Sequence, residues 1–127
     1  MAHVLLVQDD EDAVIIFRRA LDKAGVVADL SVAPDADTAL EALSRPQKPV
    51  DLVLLDLHLP GKSGLEVLEA LDERHGPPVV VLTGTASPAE AEEARRRGAR
   101  EVHQLPADLM SLTSLLRDVC RAHVHGA

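Results

Sequence analysis

The chain has almost no aromatic side chains: Phe17 is the only one in 127 residues, and tryptophan and tyrosine are missing. A core without aromatics has to be built from Leu, Val, Ile and Ala, which suits parallel strands covered by helices on both faces. The single cysteine, Cys120, excludes an intramolecular disulfide and fits a reducing compartment. No apolar run approaches the roughly 20 residues that span a bilayer, and the first residues lack the basic leader of a signal peptide. We therefore expect a cytoplasmic protein.

Positive charge is also scarce, with 13 Lys and Arg against 21 Asp and Glu and a formal net charge of -8. This balance argues against nucleic acid or an anionic membrane as the main partner. The one basic run, residues 95–97, follows Glu92 and Glu93 at the spacing of helical ion pairs, which predicts a solvated helix face. The length leaves room for one domain.

Short apolar runs alternate with segments of helical periodicity from one end of the chain to the other. The predicted strands are residues 3–7, 28–33, 50–55, 78–82 and 101–105. The third and fourth runs are continuously apolar, which indicates strands that are buried on both faces. Between the strands, apolar residues recur every three or four positions, as they do on the buried stripe of an amphipathic helix.

Helix boundaries are marked by capping signals. Ser63 with Glu66 and Ser87 with Glu90 have capping-box spacing, and three glycines follow helical runs, at positions 25, 76 and 98. Five strands and five helices in strict alternation, with right-handed crossovers, require an open parallel sheet with helices on both faces. We predict an α/β fold, a flavodoxin-like (βα)5 doubly wound parallel sheet with strand order 2-1-3-4-5.

Polar residues follow the three central strands of this predicted sheet. Asp9 and Asp10 follow strand one, Asp56 follows strand three, and Thr83 with Gly84 ends strand four. In doubly wound sheets the ligand site lies outside the carboxyl ends of the strands, near the switch point. The three carboxylates and the hydroxyl are therefore expected to share one pocket.

Each of these residues also has a purely structural explanation. Asp9, Asp10 or Asp12 is suited to cap the first helix, and Asp56 is suited to a turn. Three carboxylates in one cleft, however, repel each other unless a cation joins them. Mg²⁺, a hard ion that prefers oxygen ligands, relieves that repulsion, so the pattern favours a magnesium site over three unrelated caps.

A carboxylate beside Mg²⁺ in an open pocket has the chemistry of a nucleophile towards a phosphoryl group. Attack by Asp56 would give an acyl phosphate, and the Thr83 hydroxyl would donate a hydrogen bond to one of the transferred oxygens. Gly84 would leave space for the phosphoryl group beside the backbone.

Four segments in this order, VLLVQDDED, LVLLDLHLPGKSGLEVL, VVVLTGTAS and GAREVHQLP, resemble the receiver domains of two-component response regulators. The resemblance covers essentially the whole chain, residues 1–127, as a single receiver domain with no effector domain. It implies that the chain is not an enzyme but a phospho-acceptor, which a partner sensor histidine kinase phosphorylates. A signal would then leave by binding a downstream protein.

The resemblance also implies roles for individual residues. Asp56 is the phospho-acceptor, Thr83 is the switch hydroxyl, and Asp9, Asp10, Asp56 and the His58 backbone carbonyl hold Mg²⁺. His58 and Thr85 occupy positions that tune hydrolysis of the acyl phosphate.

The sequence departs from the family at the fifth strand. Leu105 stands where members carry Lys before a proline, and Val102 replaces the usual aromatic residue. Leucine makes no ionic contact with a phosphoryl group, and strand alternation argues against a simple replacement by His103 or Gln104. A hydrogen bond to a charged group contributes about 1.5–3 kcal/mol, against about 5.5 kcal/mol for a full two-state switch. The movement of the fourth and fifth elements that is linked to phosphorylation is therefore predicted to be weakened. The peptide bond before Pro106 is a candidate cis peptide.

Three other functions compete with this interpretation. The missing lysine favours a pseudo-receiver, a protein-binding module that works without phosphorylation. An aspartate-nucleophile phosphatase would need a second acid where the chain has His58, and a flavin- or nucleotide-binding protein would need a glycine-rich loop after strand one.

Two further partners are predicted. A homodimer through the last helices is plausible because relatives dimerise or dock there. The apolar first helix and the stretch LDLHLPGKSGLEVL resemble receivers that are paired with phytochrome-type kinases.

Overall fold

The structure, a computed structural model, describes residues 2–45, 48–73 and 76–124. Within these residues five strands alternate with five helices. They are β1 (Ala2–Val7), α1 (Glu11–Lys23), β2 (Ala28–Ala33), α2 (Ala36–Leu43), β3 (Leu52–Leu55), α3 (Gly64–Glu73), β4 (Val79–Thr83), α4 (Pro88–Arg96), β5 (Glu101–Gln104) and α5 (Leu109–His123).

The strands form one parallel sheet in the order β2-β1-β3-β4-β5. This confirms the predicted α/β fold and its strand order. β3 begins at Leu52 rather than at residue 50, and the hydrogen bond from the Asp51 amide to the His3 carbonyl, 2.8 Å long, precedes it. Since all five strands are parallel, their carboxyl ends lie along one edge of the sheet.

The core has two halves, one on each face of the sheet. Val4 and Leu6 of β1 face α1 and α5, whereas Leu5 and Val7 face α2, α3 and α4. All four residues of β3 and all five of β4 are buried, as their unbroken apolar runs predict. Phe17 is 1% exposed and packs into the half that contains α1 and α5. Each fully buried Leu or Phe contributes about 1.5–3 kcal/mol to folding.

Several of the predicted helix boundaries are present. Ser87 and Glu90 form a reciprocal capping box at the start of α4, and Gly25 and Gly98 have positive φ values of 73° and 105° after α1 and α4. At α3 the Ser63 hydroxyl accepts the Leu65 N–H at 3.1 Å, so it caps the helix without a capping box of the predicted form. The φ of Gly76 lies outside the left-handed region, so no left-handed residue ends α3 there.

The Leu105–Pro106 peptide bond is trans, so the cis bond considered from the sequence is wrong. The Leu105 amide already continues the β5 ladder by donating to the Thr83 carbonyl at 2.7 Å.

On the surface of α4 the basic run is paired with acids, as predicted. Arg96 contacts Glu92 and Glu93, and Arg97 contacts Glu93 at 2.8 Å. The Arg97 guanidinium lowers the pKa of the Glu93 carboxyl by donating a hydrogen bond to it.

None of the helices in the part of the chain that the structure describes is long and apolar enough to cross a membrane.

Candidate functional site

Asp56 and Thr83 meet at the carboxyl edge of the sheet. Asp56 follows the last residue of β3 and is partly exposed, and Thr83 ends the neighbouring strand β4 and is fully buried, with 0% exposure. The parallel pairing of β3 with β4 places the two strand ends side by side. The Thr83 hydroxyl donates a hydrogen bond to Asp56 Oδ1 at 2.9 Å.

His58 and Thr85 complete a ring of hydrogen bonds with this pair. The His58 backbone N–H donates to Asp56 Oδ1 at 3.2 Å, and Nε2 of its imidazole lies 2.8 Å from the Thr85 carbonyl. That carbonyl also lies 3.3 Å from Thr83 Oγ1. Because a carbonyl only accepts, Nε2 of His58 carries the proton. Four of the predicted site residues are thus joined directly.

Asp9 and Asp10 lie past the end of β1, and both are exposed. Asp10 caps α1: its Oδ1 accepts the Asp12 N–H at 2.9 Å and the Ala13 N–H at 3.4 Å. A cap of this kind contributes about 1 kcal/mol. Of the acidic residues considered as caps of the first helix, Asp10 therefore has this role.

The predicted metal ligands are oxygen ligands of the type that a hard divalent cation prefers, but their side chains do not converge on one point. Asp56 is beside the acidic pair, since its amide donates to the Val7 carbonyl at 3.1 Å, two residues before Asp9. Across residues 2–45, 48–73 and 76–124, however, no three His, Cys, Asp or Glu side chains are grouped as metal ligands. Carboxylate oxygens at a solvent-facing strand edge fit Mg²⁺, and the side chains would have to turn towards it.

Leu105 is part of the core on the α1 and α5 side of the sheet. Its side chain is half-buried and packs against the core between the sheet, α1 and α5. Neither neighbour replaces the missing lysine: His103 binds Glu101 Oε1 at 2.8 Å, and Gln104 is exposed and makes no side-chain hydrogen bond among the described residues. The pocket therefore has no cationic side chain from β5.

Two glycines near Asp56 and Thr83 differ in the space around them. A Cβ atom at Gly84 would meet nothing within 4 Å, so the space beside it is open, as predicted. A Cβ atom at Gly64, at the start of α3, would lie 2.5 Å from the Asp56 carbonyl oxygen and 2.8 Å from Leu57 Cα. Gly64 allows α3 to approach the end of β3 closely, and the sequence analysis missed it.

Two other residues that touch the site were also missed. Gln8 is 5% exposed, and its side-chain oxygen accepts the Asp10 N–H at 3.1 Å, which supports the acidic pair. Glu90 Oε2 lies 3.5 Å from His58 Nε2, although the sequence identified Glu90 only as a partner of Ser87. The signal for Gln8 was its place directly before the acidic pair. No local pattern indicated the contact of Glu90 with His58.

The loop between β3 and α3 is tied to α2 by an exposed ion pair. Lys62 Nζ donates to Asp37 Oδ1 at 2.7 Å, and this hydrogen bond raises the pKa of the Lys62 ammonium. Both side chains are more than half exposed, so the pair adds little to stability.

Residues 4–117 match the response regulator receiver domain family. The chain is 31% identical over 121 residues to the transcriptional regulatory protein CpxR of Escherichia coli K12, and the alignment covers 95% of this chain and 50% of CpxR. The chain thus spans about half the length of the curated relatives that it first matches.

Solved structures share the fold over almost the full chain. The Mn²⁺-bound form of response regulator Rcp1 has a TM-score of 0.82 at 23% identity, with 100% of this chain and 97% of Rcp1 covered. The phosphorylated cyanobacterial phytochrome response regulator RcpA has a TM-score of 0.86 at 24% identity, with 99% and 96% covered. At these identities the likeness is one of fold.

Proposed function

The chain belongs to the response regulator receiver domain family, whose members are phospho-accepting signalling domains rather than enzymes, and on that premise we propose that Asp56 is its phospho-acceptor. The observation that carries the proposal is the hydrogen bond of the buried Thr83 hydroxyl to Asp56 Oδ1, at 2.9 Å. It aligns a carboxylate at the open strand edge with a donor that is suited to a phosphoryl oxygen.

The two oxygens of Asp56 have different surroundings. Oδ1 accepts both the Thr83 hydroxyl and the His58 N–H, whereas Oδ2 accepts no hydrogen bond from the described residues. Oδ2 is the oxygen that attacks phosphorus: a bond from oxygen to phosphorus forms, and the bond from phosphorus to the donor nitrogen of the kinase histidine breaks. Thr83 then donates to an oxygen of the transferred group.

A divalent cation, which we propose is Mg²⁺, would be held by Asp9, Asp10, Asp56 and the His58 carbonyl. When bound, it neutralises charge on the transferring oxygens. Receiver domains as a family bind divalent metal, and the Rcp1 structure contains Mn²⁺. For this chain the support is the run of solvent-facing carboxylates at the ends of β1 and β3.

The output of the domain is expected to be weakened at β5. Since Leu105 packs into the core on the α1 and α5 side, no side chain from that strand forms an ion pair with the phosphoryl group. The loss corresponds to about 1.5–3 kcal/mol of coupling between phosphorylation and the movement of α4 and β5. This observation also favours the alternative function, a pseudo-receiver that binds partners without phosphorylation.

Mass spectrometry after treatment with acetyl phosphate and Mg²⁺ distinguishes the two functions. The native protein is expected to gain the mass of one phosphoryl group, and the isosteric variant Asp56→Asn is expected to gain none. Phos-tag electrophoresis gives an independent readout of the same modification. An unmodified native protein would contradict Asp56 as the acceptor and leave the pseudo-receiver. An equally modified variant would show that a residue other than Asp56 takes the phosphoryl group.

We propose that the domain is cytoplasmic and is phosphorylated by a sensor histidine kinase of the phytochrome type. It would signal by binding a downstream protein and form a homodimer through α4 and α5. The net charge of -8 supports a protein partner over nucleic acid. Size-exclusion chromatography with light scattering, with and without acetyl phosphate, tests the dimer.

A further inference from the structure

Glu90 is fixed beside the acceptor site by the capping box of α4. Its Oε1 accepts the Ser87 N–H at 3.2 Å, and Ser87 Oγ accepts the Glu90 N–H at 3.1 Å. These two bonds hold the backbone and one carboxylate oxygen of Glu90. The second oxygen, Oε2, is thereby held 3.5 Å from Nε2 of His58.

The His58 imidazole therefore has two acceptors for a single proton on Nε2. The Thr85 carbonyl, at 2.8 Å, takes the hydrogen bond, and Glu90 Oε2, at 3.5 Å, acts mainly by electrostatic attraction. Both acceptors favour the tautomer with the proton on Nε2. Thr85 and Glu90 both follow β4, whereas His58 lies in the loop after β3. The His58 imidazole therefore connects these two parts of the chain.

This bridge lies next to the acceptor carboxylate. The Thr85 carbonyl that binds the imidazole is 3.3 Å from Thr83 Oγ1, which is 2.9 Å from Asp56 Oδ1. The His58 side chain is 50% exposed and Thr83 is fully buried, so the ring is on the solvent side of this network.

We propose that Glu90 is a positioning residue that keeps the His58 imidazole at the rim of the acceptor pocket and so prolongs the phosphorylated state. The proposal rests on the proposed function of Asp56. In hydrolysis a water oxygen bonds to phosphorus, the bond from phosphorus to Asp56 Oδ2 breaks with its electron pair returning to the carboxylate, and inorganic phosphate leaves with the water protons shared with solvent. A ring that is held at the rim leaves less room for that water.

The test compares dephosphorylation half-lives of purified protein after treatment with acetyl phosphate and desalting, measured by Phos-tag electrophoresis. Glu90→Ala is expected to lose the phosphoryl group about threefold faster or more, the size of effect that loss of one modest contact gives. Glu90→Gln keeps the capping-box chemistry without the charge and should fall between native protein and Glu90→Ala. Ser87→Ala removes the hydroxyl that accepts the Glu90 N–H and should accelerate the loss no more than Glu90→Ala does. Glu92→Gln removes an exposed charge from the same helix and should match native protein.

A double-mutant cycle separates positioning of the ring from support of the helix. His58→Ala should speed hydrolysis at least as much as Glu90→Ala, and the double variant should match His58→Ala. An equal extra effect of Glu90→Ala in the His58→Ala background would overturn the proposal, because Glu90 would then act without the ring. Acceleration by Glu92→Gln, or an unchanged or slower rate in Glu90→Ala, would overturn it too.

Nitrogen-15 NMR of the His58 ring in the unphosphorylated protein tests the same contact without any chemistry at Asp56. Glu90→Ala should shift the Nε2 and Nδ1 resonances away from a pure Nε2–H tautomer, and Glu92→Gln should not. Unchanged resonances in Glu90→Ala would refute the positioning. Failure of the native protein to become phosphorylated would refute the proposed function and the effect on lifetime, whereas the NMR result would still decide the contact.

Discussion

Thr83 and Asp56 are 27 residues apart in sequence and are joined by a hydrogen bond of 2.9 Å from Oγ1 to Oδ1. The hydroxyl has one proton and a second acceptor nearby, the Thr85 carbonyl at 3.3 Å. The shorter distance and the charge of the carboxylate favour Asp56 as the acceptor. The buried end of β4 is thereby joined to the carboxylate that follows β3.

Removal of this hydroxyl should slow phosphorylation without unfolding the domain. In Thr83→Val, Asp56 Oδ1 keeps only the His58 N–H, and the phosphoryl oxygens lose a donor. We expect the initial rate with acetyl phosphate to fall about 10-fold or more, as for one hydrogen bond to a charged group. Thr113→Val removes another buried hydroxyl, on α5 and bound to the Leu109 carbonyl, and should leave the rate unchanged. Equal rates in native protein and Thr83→Val would contradict this role.

Gly64 should be far less tolerant of a methyl group than Gly84. In Gly64→Ala the new Cβ would lie 2.5 Å from the Asp56 carbonyl oxygen, a backbone atom that cannot rotate away. We expect the free energy of unfolding to fall by about 1–3 kcal/mol or more in urea titrations. Gly84→Ala, where nothing lies within 4 Å, is the matched control and should change stability by less than about 1 kcal/mol. Similar losses in both variants would show that the close approach does not matter.

Lysine at position 105 should restore part of the missing coupling. In Leu105→Lys the aliphatic stem can cover the same core surface while the longer side chain carries the ammonium to the carboxyl edge of the sheet, so we expect a loss of stability of about 1 kcal/mol. Beryllofluoride, a phosphoryl mimic, should then cause larger NMR shifts in α4 and β5 than it does in native protein. Leu105→Met, apolar and of similar size, controls for repacking. Equal shifts in all three proteins would rule out a role for this position in switching.

A glutamate that bridges two histidines should make stability depend on pH. Glu101 Oε1 binds His103 Nε2 at 2.8 Å, and Oε2 binds His123 Nε2 at 2.5 Å. The hydrogen bond from His103, followed by that from His123, lowers the pKa of the Glu101 carboxyl below its ordinary 4.5. The stabilisation is therefore present above pH 4.5 and is lost as the pH falls through the lowered pKa.

Glu101→Gln should accordingly be less stable than native protein at pH 7, and the difference should disappear at pH values below the lowered pKa. Urea unfolding at a series of pH values measures it, and Glu92→Gln, whose partner pair is exposed, should show little difference at any pH. A constant difference across the series would contradict a titrating contribution of Glu101.

The sequence predicted the fold because the relevant signals are local. Unbroken apolar runs in β3 and β4 and the alternation with helical stripes determine which segments become buried strands, and the topology follows from connection rules. The same rules brought Asp56 and Thr83 together. The contact of Glu90 with His58 was not foreseeable in this way, because it depends on side-chain rotamers in two separate segments, the loop after β3 and the first turn of α4.

Two other features show where sequence patterns stop being informative. Asp10 has the right residue type both for a helix cap and for a metal ligand, and only its hydrogen bonds show that it caps α1. The missing lysine at position 105 was visible in the sequence, but strand alternation did not show where the neighbouring His103 and Gln104 side chains lie. β5 ends at Gln104, and the Leu105 amide continues the ladder beyond it. The need for glycine at position 64 arises from the distance between α3 and β3, which no short sequence window contains.

The amide of Leu105 binds the carbonyl of Thr83 at 2.7 Å, and both atoms are main-chain atoms. Only proline at position 105 would remove the donor. Exchange of the Leu105 side chain therefore leaves this main-chain hydrogen bond in place. The bond joins the end of β4 to the residue before the turn into α5, and it depends on no charged side chain.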